Sequence, residues 1–235
     1  MRYLLPILLS LAMPAWAETF TARFDMSLRG ITGGQIALSA EETGGRYAVR
    51  ATAQATGVAR ALVKKTYEGT ARGRIMGGAL RADSYSEVEV ERSGRKTASM
   101  TFEGGRPVDV SLTPAPSAEP WDVDPGSLRN VSDPLSALWA ILRPMSPDAA
   151  CGMRFDLFDG RRVSRLDLSN RRAGSDGTIL CDAAYKRLAG YPPDEMAERD
   201  GTRFTLTYAP RGDGRMEVIE LRAPTSLGDA VLRRR

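Results

Sequence analysis

Apolar and polar residues alternate with a period of two along most of this chain. Phe20, Ala22, Phe24, Met26 and Leu28 are interleaved with Thr21, Arg23, Asp25 and Ser27. Ile36, Leu38 and Ala40 follow the pair Gly33-Gly34, and Tyr47, Val49, Ala51, Ala53 and Ala55 follow Gly44-Gly45. Such spacing gives each segment one apolar face, the pattern of a half-buried antiparallel strand. The glycine pairs are expected at the hairpin turns, where φ is positive. The alternation is looser from Lys65 to Ile75 and from Leu80 to Val90, then sharpens at Ala98, Met100 and Phe102 and, beyond Gly104-Gly105, at Val108, Val110 and Leu112. Val58 to Val63 reads equally as one helical turn or as a strand crossing.

Between residues 113 and 130 the alternation stops. Pro114, Pro116, Pro120 and Pro125 mark a loop that cannot join a central sheet. Asp133 followed by Pro134 then reads as a helix cap with proline in the first turn. Leu135, Leu138, Trp139 and Leu142 share one face of a short helix near 133–143, ended by Pro144. Strand signals return at Met153, Phe155 and Leu157, turn at Asp159-Gly160, and continue through Val163, Leu166 and Leu168. Ile179, Cys181, Ala183 and Tyr185 fall on one face of the next strand, which directs Cys181 inward. Pro192-Pro193 opens a loop or short helix, and Phe204 to Leu221 completes the series around Asp213-Gly214. The expected fold is mainly β: a curled antiparallel sheet or open barrel of about a dozen short strands, with the single helix covering its open face.

The N-terminus changes the picture of where this domain resides. Arg2, an apolar run from Tyr3 to Met13, and Pro14-Ala15-Trp16-Ala17 have the form of a cleavable signal peptide over 1–17, cut after Ala17. The run is too short for the ~20 residues of a membrane-spanning helix. Residues 18–235 then form one periplasmic domain. Loss of Arg2 lowers the net charge from +4 to +3. The basic residues are mostly arginines, scattered among acids on the strands, so no nucleic-acid-binding stripe is present.

With no histidine in the chain, Ser-His-Asp and Cys-His catalysis and the commonest zinc sites are excluded. Phosphate-binding glycine loops are missing. The expectation is a protein that is not an enzyme and holds no metal or cofactor. Cys151 and Cys181 stand thirty positions apart, unlike a redox C-x-x-C pair, and are expected to form a structural disulfide in an oxidising compartment. Asp122 and Asp124 are too few for a calcium loop and read as a solvated segment. Arg161 and Arg162 are the candidates for contact with an anion, although one salt-bridged and one solvated arginine is the simpler reading. Trp121 and Trp139 read first as filler of core or groove.

The block Asp133-Pro134-Leu135-Ser136, Phe158-Asp159-Gly160-Arg161-Arg162, and Cys181 with Ala189-Gly190-Tyr191 resembles the bacterial domain-of-unknown-function family numbered 3108, a group of exported envelope proteins. The N-terminal part fits the same layout; Arg215 to Arg235 fits it least. The resemblance implies a periplasmic, sheet-rich protein and supplies no catalytic residues. Two roles follow. In the first, the protein binds or carries an apolar or lipid-like ligand in a groove lined by Leu135, Leu138 and Trp139. In the second, it is an envelope scaffold whose exposed sheet edges pair with a protein partner. An enzyme acting on an envelope polymer ranks third, because it needs two carboxylates facing one cleft.

Overall fold

The computed structural model describes residues 17–57, 59–62, 65–197 and 201–235. The expected signal peptide and its cleavage point therefore lie almost wholly outside the described residues. The first half of the chain is a meander: β1 (Glu18–Leu28), β2 (Ile31–Thr43), β3 (Arg46–Ala55), β4 (Thr66–Met76), β5 (Ala79–Glu91), β6 (Gly94–Glu103) and β7 (Arg106–Thr113). A single helical turn, α1 (Ala59–Leu62), links β3 to β4; Val58 and Val63, at the ends of the ambiguous segment, are not among the described residues. After the proline-rich loop come β8 (Val131–Ser132), the main helix α2 (Pro134–Leu142), β9 (Met153–Phe158), β10 (Val163–Ala173) and β11 (Ile179–Ala189). A second helical turn, α3 (Pro193–Ala197), precedes β12 (Thr202–Pro210), β13 (Met216–Thr225) and β14 (Gly228–Arg234).

All fourteen strands form one sheet, in the order β7-β6-β5-β4-β3-β2-β1-β14-β13-β12-β11-β10-β9-β8. Every pairing is antiparallel except β8 with β9. The expected curled sheet is present, with more strands than anticipated and several of them long. Its two ends almost meet. Val131 N donates to Gly105 O at 2.9 Å, and a Cβ on Gly160, in the β9–β10 turn, would sit 2.9 Å from Leu112 Cδ2 of β7. β8 is only two residues long, so the ends touch along a seam without a continuous hydrogen-bond ladder.

The glycine pairs divide into two kinds. Gly44-Gly45 and Gly104-Gly105 take positive φ at hairpin turns, as expected. Gly33-Gly34 does not: the β1–β2 turn is Arg29-Gly30, at φ 51° and 79°, and Gly33-Gly34 lies within β2 where the register with β1 shifts. Close packing is the reason for glycine there. A Cβ on Gly34 would stand 2.6 Å from Met26 Cε and one on Gly33 would stand 3.2 Å from Ala59 Cβ.

α2 is packed into the barrel as a plug rather than resting over it as a lid. Leu135, Ala137, Trp139, Ile141 and Leu142 are all buried. Trp139 packs at 5.1 Å between ring centroids against Phe20 and donates from Nε1 to Glu42 Oε1 at 3.0 Å. Tyr208 donates to Ile141 O at 3.2 Å, pairing a carbonyl that the helix end leaves free. The backbone pair Met145–Met216 fastens the chain beyond the helix to β13. The plug occupies only one end. Along β1, Phe20, Ala22 and Phe24 are buried, whereas Met26 and Leu28 on the same face are exposed.

Candidate functional site at the open end of the barrel

Two glycines on β4 make room for the aromatic side chains that govern the interior. Tyr47 of β3 lies over Gly73, where a Cβ would meet its hydroxyl at 2.6 Å, and Tyr67 lies over Gly69. The hydroxyl of Tyr47 is thereby aimed at α2 and donates to Ser136 Oγ at 2.6 Å. Ser136 Oγ donates to Asp133 Oδ2 at 2.5 Å, while Asp133 Oδ1 accepts from Ser136 N at 2.8 Å. Asp133 caps the helix, as its place before Pro134 predicts, but it does so in a site closed to water. Burial pushes its carboxyl up to about 6, against the opposing pull of its Ser136 bonds.

Below this cap lies a second polar chain. Tyr85 of β5 donates to Glu87 Oε2, and since that uses its single proton, Tyr67 donates to Tyr85 at 3.2 Å. Burial pushes the carboxyl of Glu87 up, and the hydroxyl of Tyr67 up to about 12. Tyr67 and Glu89 are cross-strand partners, and Glu87 is two residues from Glu89, so the chain reaches toward the unplugged end.

Inner-face residues become accessible toward that end. Ile36 on β2, Phe204 on β12, Leu221 on β13 and Leu232 on β14 are half-buried, whereas Leu38, Leu206 and Val218, nearer the plug on the same strands, are fully buried. With Met26 and Leu28 they form an apolar mouth; Tyr67 and Glu87 are half-buried on neighbouring strands β4 and β5. Apolar walls with a few convergent polar groups are the usual composition of a small-molecule site. Leu135, Leu138 and Trp139, expected to line a groove, do not share an accessible face. Leu135 and Trp139 are each 2% exposed and belong to the core, because their side of α2 faces the barrel wall; Leu138 alone is half-buried.

The motifs of the second half converge on Tyr191. Asp159 Oδ1 accepts from the backbone N–H groups of Arg161 and Arg162 at 2.9 and 2.7 Å, which makes the β9–β10 turn. Gly190, at φ 83°, passes so close to this turn that a Cβ would stand 2.6 Å from Arg161 O. Tyr191 then shares a 2.5 Å hydrogen bond with Ser164 Oγ, which also accepts from Tyr185. The two candidate anion-binding arginines diverge. Arg161 pairs with Asp122 at 2.8 Å and donates to Ser117 O, fastening the proline-rich loop; this pairing holds the Asp122 carboxyl below its ordinary range. Arg162 stacks 4.8 Å from the Tyr191 ring centroid. Asp124 caps the turn at Gly126.

Cys151 and Cys181 form the expected disulfide, with Cα atoms 5.5 Å apart and Cys181 fully buried. It joins the segment after α2 to β11. Beside the plug, at the seam, is a recess of about 380 Å³ between Gly78–Ala82, β8, β9 and the outward side of α2. On the helix side it is lined by Ala140 of α2 and by Arg143 just beyond the helix end, not by the three expected residues. Among the described residues no helix is long and apolar enough to cross a membrane.

Tyr47, Tyr67, Tyr85, Glu87 and Ser136 were not identified as site residues from the sequence. A usable signal was present in Gly69 and Gly73, since two glycines on one face of a strand mark a place where other side chains lie across it.

A solved β-barrel-like protein from Brucella abortus, of the domain of unknown function DUF1849, is similar over 94% of this chain and 95% of its own, at 11% identity and a TM-score of 0.49. No curated protein matches the chain. A family model does match, from β1 through most of β11, ending before Gly190 and the last three strands. That model, described as protein of unknown function (DUF3108), covers residues 23–187, and the chain belongs to this family.

Proposed function

We propose that this is an exported, non-enzymatic envelope protein that binds or carries an apolar or lipid-like ligand in the open end of its barrel. The observation that carries this reading is the gradient of burial along the inner face. Six aliphatic or aromatic side chains (Met26, Leu28, Ile36, Phe204, Leu221 and Leu232) stay accessible on the concave side of a sheet whose other end is filled by α2. Leaving such groups open to water costs about 25 cal/mol per Å² that a ligand would recover. The Tyr67–Tyr85–Glu87 chain supplies a polar contact for the head of an amphipathic molecule. The disulfide fits an oxidising compartment, in keeping with the signal-like N-terminus. A chain without histidine favours binding over acid–base catalysis.

The envelope scaffold is the less favoured role. Strand addition needs a free sheet edge, and the edges here, β7 and the two-residue β8, are turned toward each other at the seam.

The test is native mass spectrometry with organic extraction of protein purified in its exported form. A stoichiometric apolar adduct supports the reading. Empty protein that also fails to bind fluorescent fatty-acid analogues refutes it.

A further inference from the structure

Two neighbouring hairpin tips at the open end carry large aliphatic side chains in solvent. Ile31 is 68% exposed, Leu227 64%, Met26 43% and Leu28 39%. Leu28 and Ile31 are direct cross-strand partners flanking the Arg29-Gly30 turn, so both project from one face of the tip. Leu227 stands in the β13–β14 turn. That turn is held against the first, since Arg29 N donates to Asp229 O at 3.1 Å and the Arg29 stem lies over Gly228, where a Cβ would be 2.7 Å from Arg29 Cγ. The α1 turn is adjacent, because Thr56 N donates to Gly33 O at 3.0 Å.

Charge separates this lip from an ordinary hydrophobic patch. The side chains of Arg29 and Arg60 are exposed and make no ion pair or hydrogen bond with the described residues. The nearest acid on the tips, Asp229, is already paired with Arg222 at 2.8 Å. Two free guanidinium groups thus flank the apolar points.

We infer that this lip docks on an anionic lipid surface, with Ile31, Leu28 and Leu227 entering the headgroup boundary and Arg29 and Arg60 meeting lipid phosphates. A protein partner fits less well. Four side chains on projecting turns offer far less than the ~800 Å² that each side of a stable interface contributes. Interfacial insertion needs only an apolar edge ~5–10 Å deep with cations around it. The inference concerns the rim and stands whether or not the barrel holds a ligand.

Flotation of the exported-form protein with vesicles decides it. Phosphatidylglycerol–phosphatidylethanolamine vesicles should retain the protein at low salt, and phosphatidylcholine vesicles should not. Retention should fall as salt rises. The doubly substituted I31D/L227D protein should lose about tenfold in vesicle partition, and R29A/R60A should lose most of the salt-sensitive part. Both variants should unfold at the wild-type denaturant midpoint, because all four positions are exposed. Absence of wild-type retention on the anionic vesicles overturns the inference. So does equal retention by I31D/L227D, or a wild-type dimer that I31D/L227D abolishes in the absence of any vesicle binding. Binding of fluorescent fatty-acid analogues, measured without vesicles, reports separately on the barrel interior.

Discussion

The hydroxyl of Tyr47, in the wall of the barrel, is 2.6 Å from Ser136 Oγ on the helix inside it, although 89 positions separate them in the chain. This bond and the Trp139–Glu42 bond, across 97 positions, hold the plug in one orientation. Apolar packing alone would let a short helix rotate or slide with little penalty. A buried hydroxyl that loses its partner costs about 1–3 kcal/mol, so these contacts select a single seating.

Asp133 lies at the end of that network, and its titration should be visible in stability. Its folded-state pKa is about 6, above the ~3.9 of an unfolded aspartate. The folded state therefore holds the proton more tightly. The resulting stabilisation is fully present below pH ~4, falls as pH rises from there to about 6, and is absent above, a change of about 3 kcal/mol. Replacing Asp133 by Asn removes the titration and keeps one acceptor for Ser136 N. Denaturant unfolding at pH 4 and pH 7 should show wild type losing about 2–3 kcal/mol against D133N over that interval; a constant difference would contradict it. D133A should be less stable than either by about 2–4 kcal/mol at pH 7, having lost the cap and stranded Ser136 N.

The disulfide acts on the segment between plug and wall. Removing it as C151A/C181A, or reducing it, should cost about 3–4 kcal/mol in the chain-entropy account for a crosslink of this span. Thermal unfolding with and without reductant measures this. A loss under ~1 kcal/mol would mean that the turn around Cys151 is fixed by its backbone bonds, such as Gly152 N to Leu168 O.

Strand count, helix position and disulfide were close to legible in the sequence because each rests on local rules: alternation, capping, cysteine pairing. The helix stripe Leu135–Leu138–Trp139 was legible as apolar but not as to what it faces. A lid and a plug present the same spacing, and only the curvature of the sheet, a property of all its strands together, decides between them. Gly33-Gly34 shows the same limit. A pair that reads as a turn proved to be a close approach of Met26 and Ala59. The polar chain through Tyr67, Tyr85 and Glu87 depends on register between strands and has no sequence motif of its own.

Gly34 and Gly190 should respond differently to the same substitution. An alanine Cβ at Gly190 meets backbone, Arg161 O and Arg162 Cα at 2.6 and 2.8 Å, and the residue has φ 83°. Neither obstacle can swing aside, so G190A should destabilise by about 2–3 kcal/mol and disturb the Tyr191–Ser164 bond. At Gly34 the close atom is the mobile end of Met26, and G34A should stay within about 1 kcal/mol of wild type. Chemical denaturation of both proteins tests the contrast, and equal losses would count against it.

The two proposed locations for an apolar ligand separate cleanly by mutation. Phe204 and Leu232 are half-buried at the open end, whereas Leu135 is a buried side chain of the plug helix itself. F204E/L232E should keep its unfolding free energy within about 1–2 kcal/mol of wild type, since both side chains already touch water. The new carboxylates would have to be desolvated by an acyl chain, so affinity for a fluorescent fatty-acid analogue should fall by about tenfold or more. L135A should do the reverse, losing about 2–5 kcal/mol of stability through the cavity it creates while the folded fraction binds the analogue as wild type does. Because Trp139 is enclosed beside Phe20 and Glu42, its emission should not move on binding. If L135A weakens the folded protein's affinity and F204E/L232E leaves it intact, the ligand lies against α2 and the open mouth has another use.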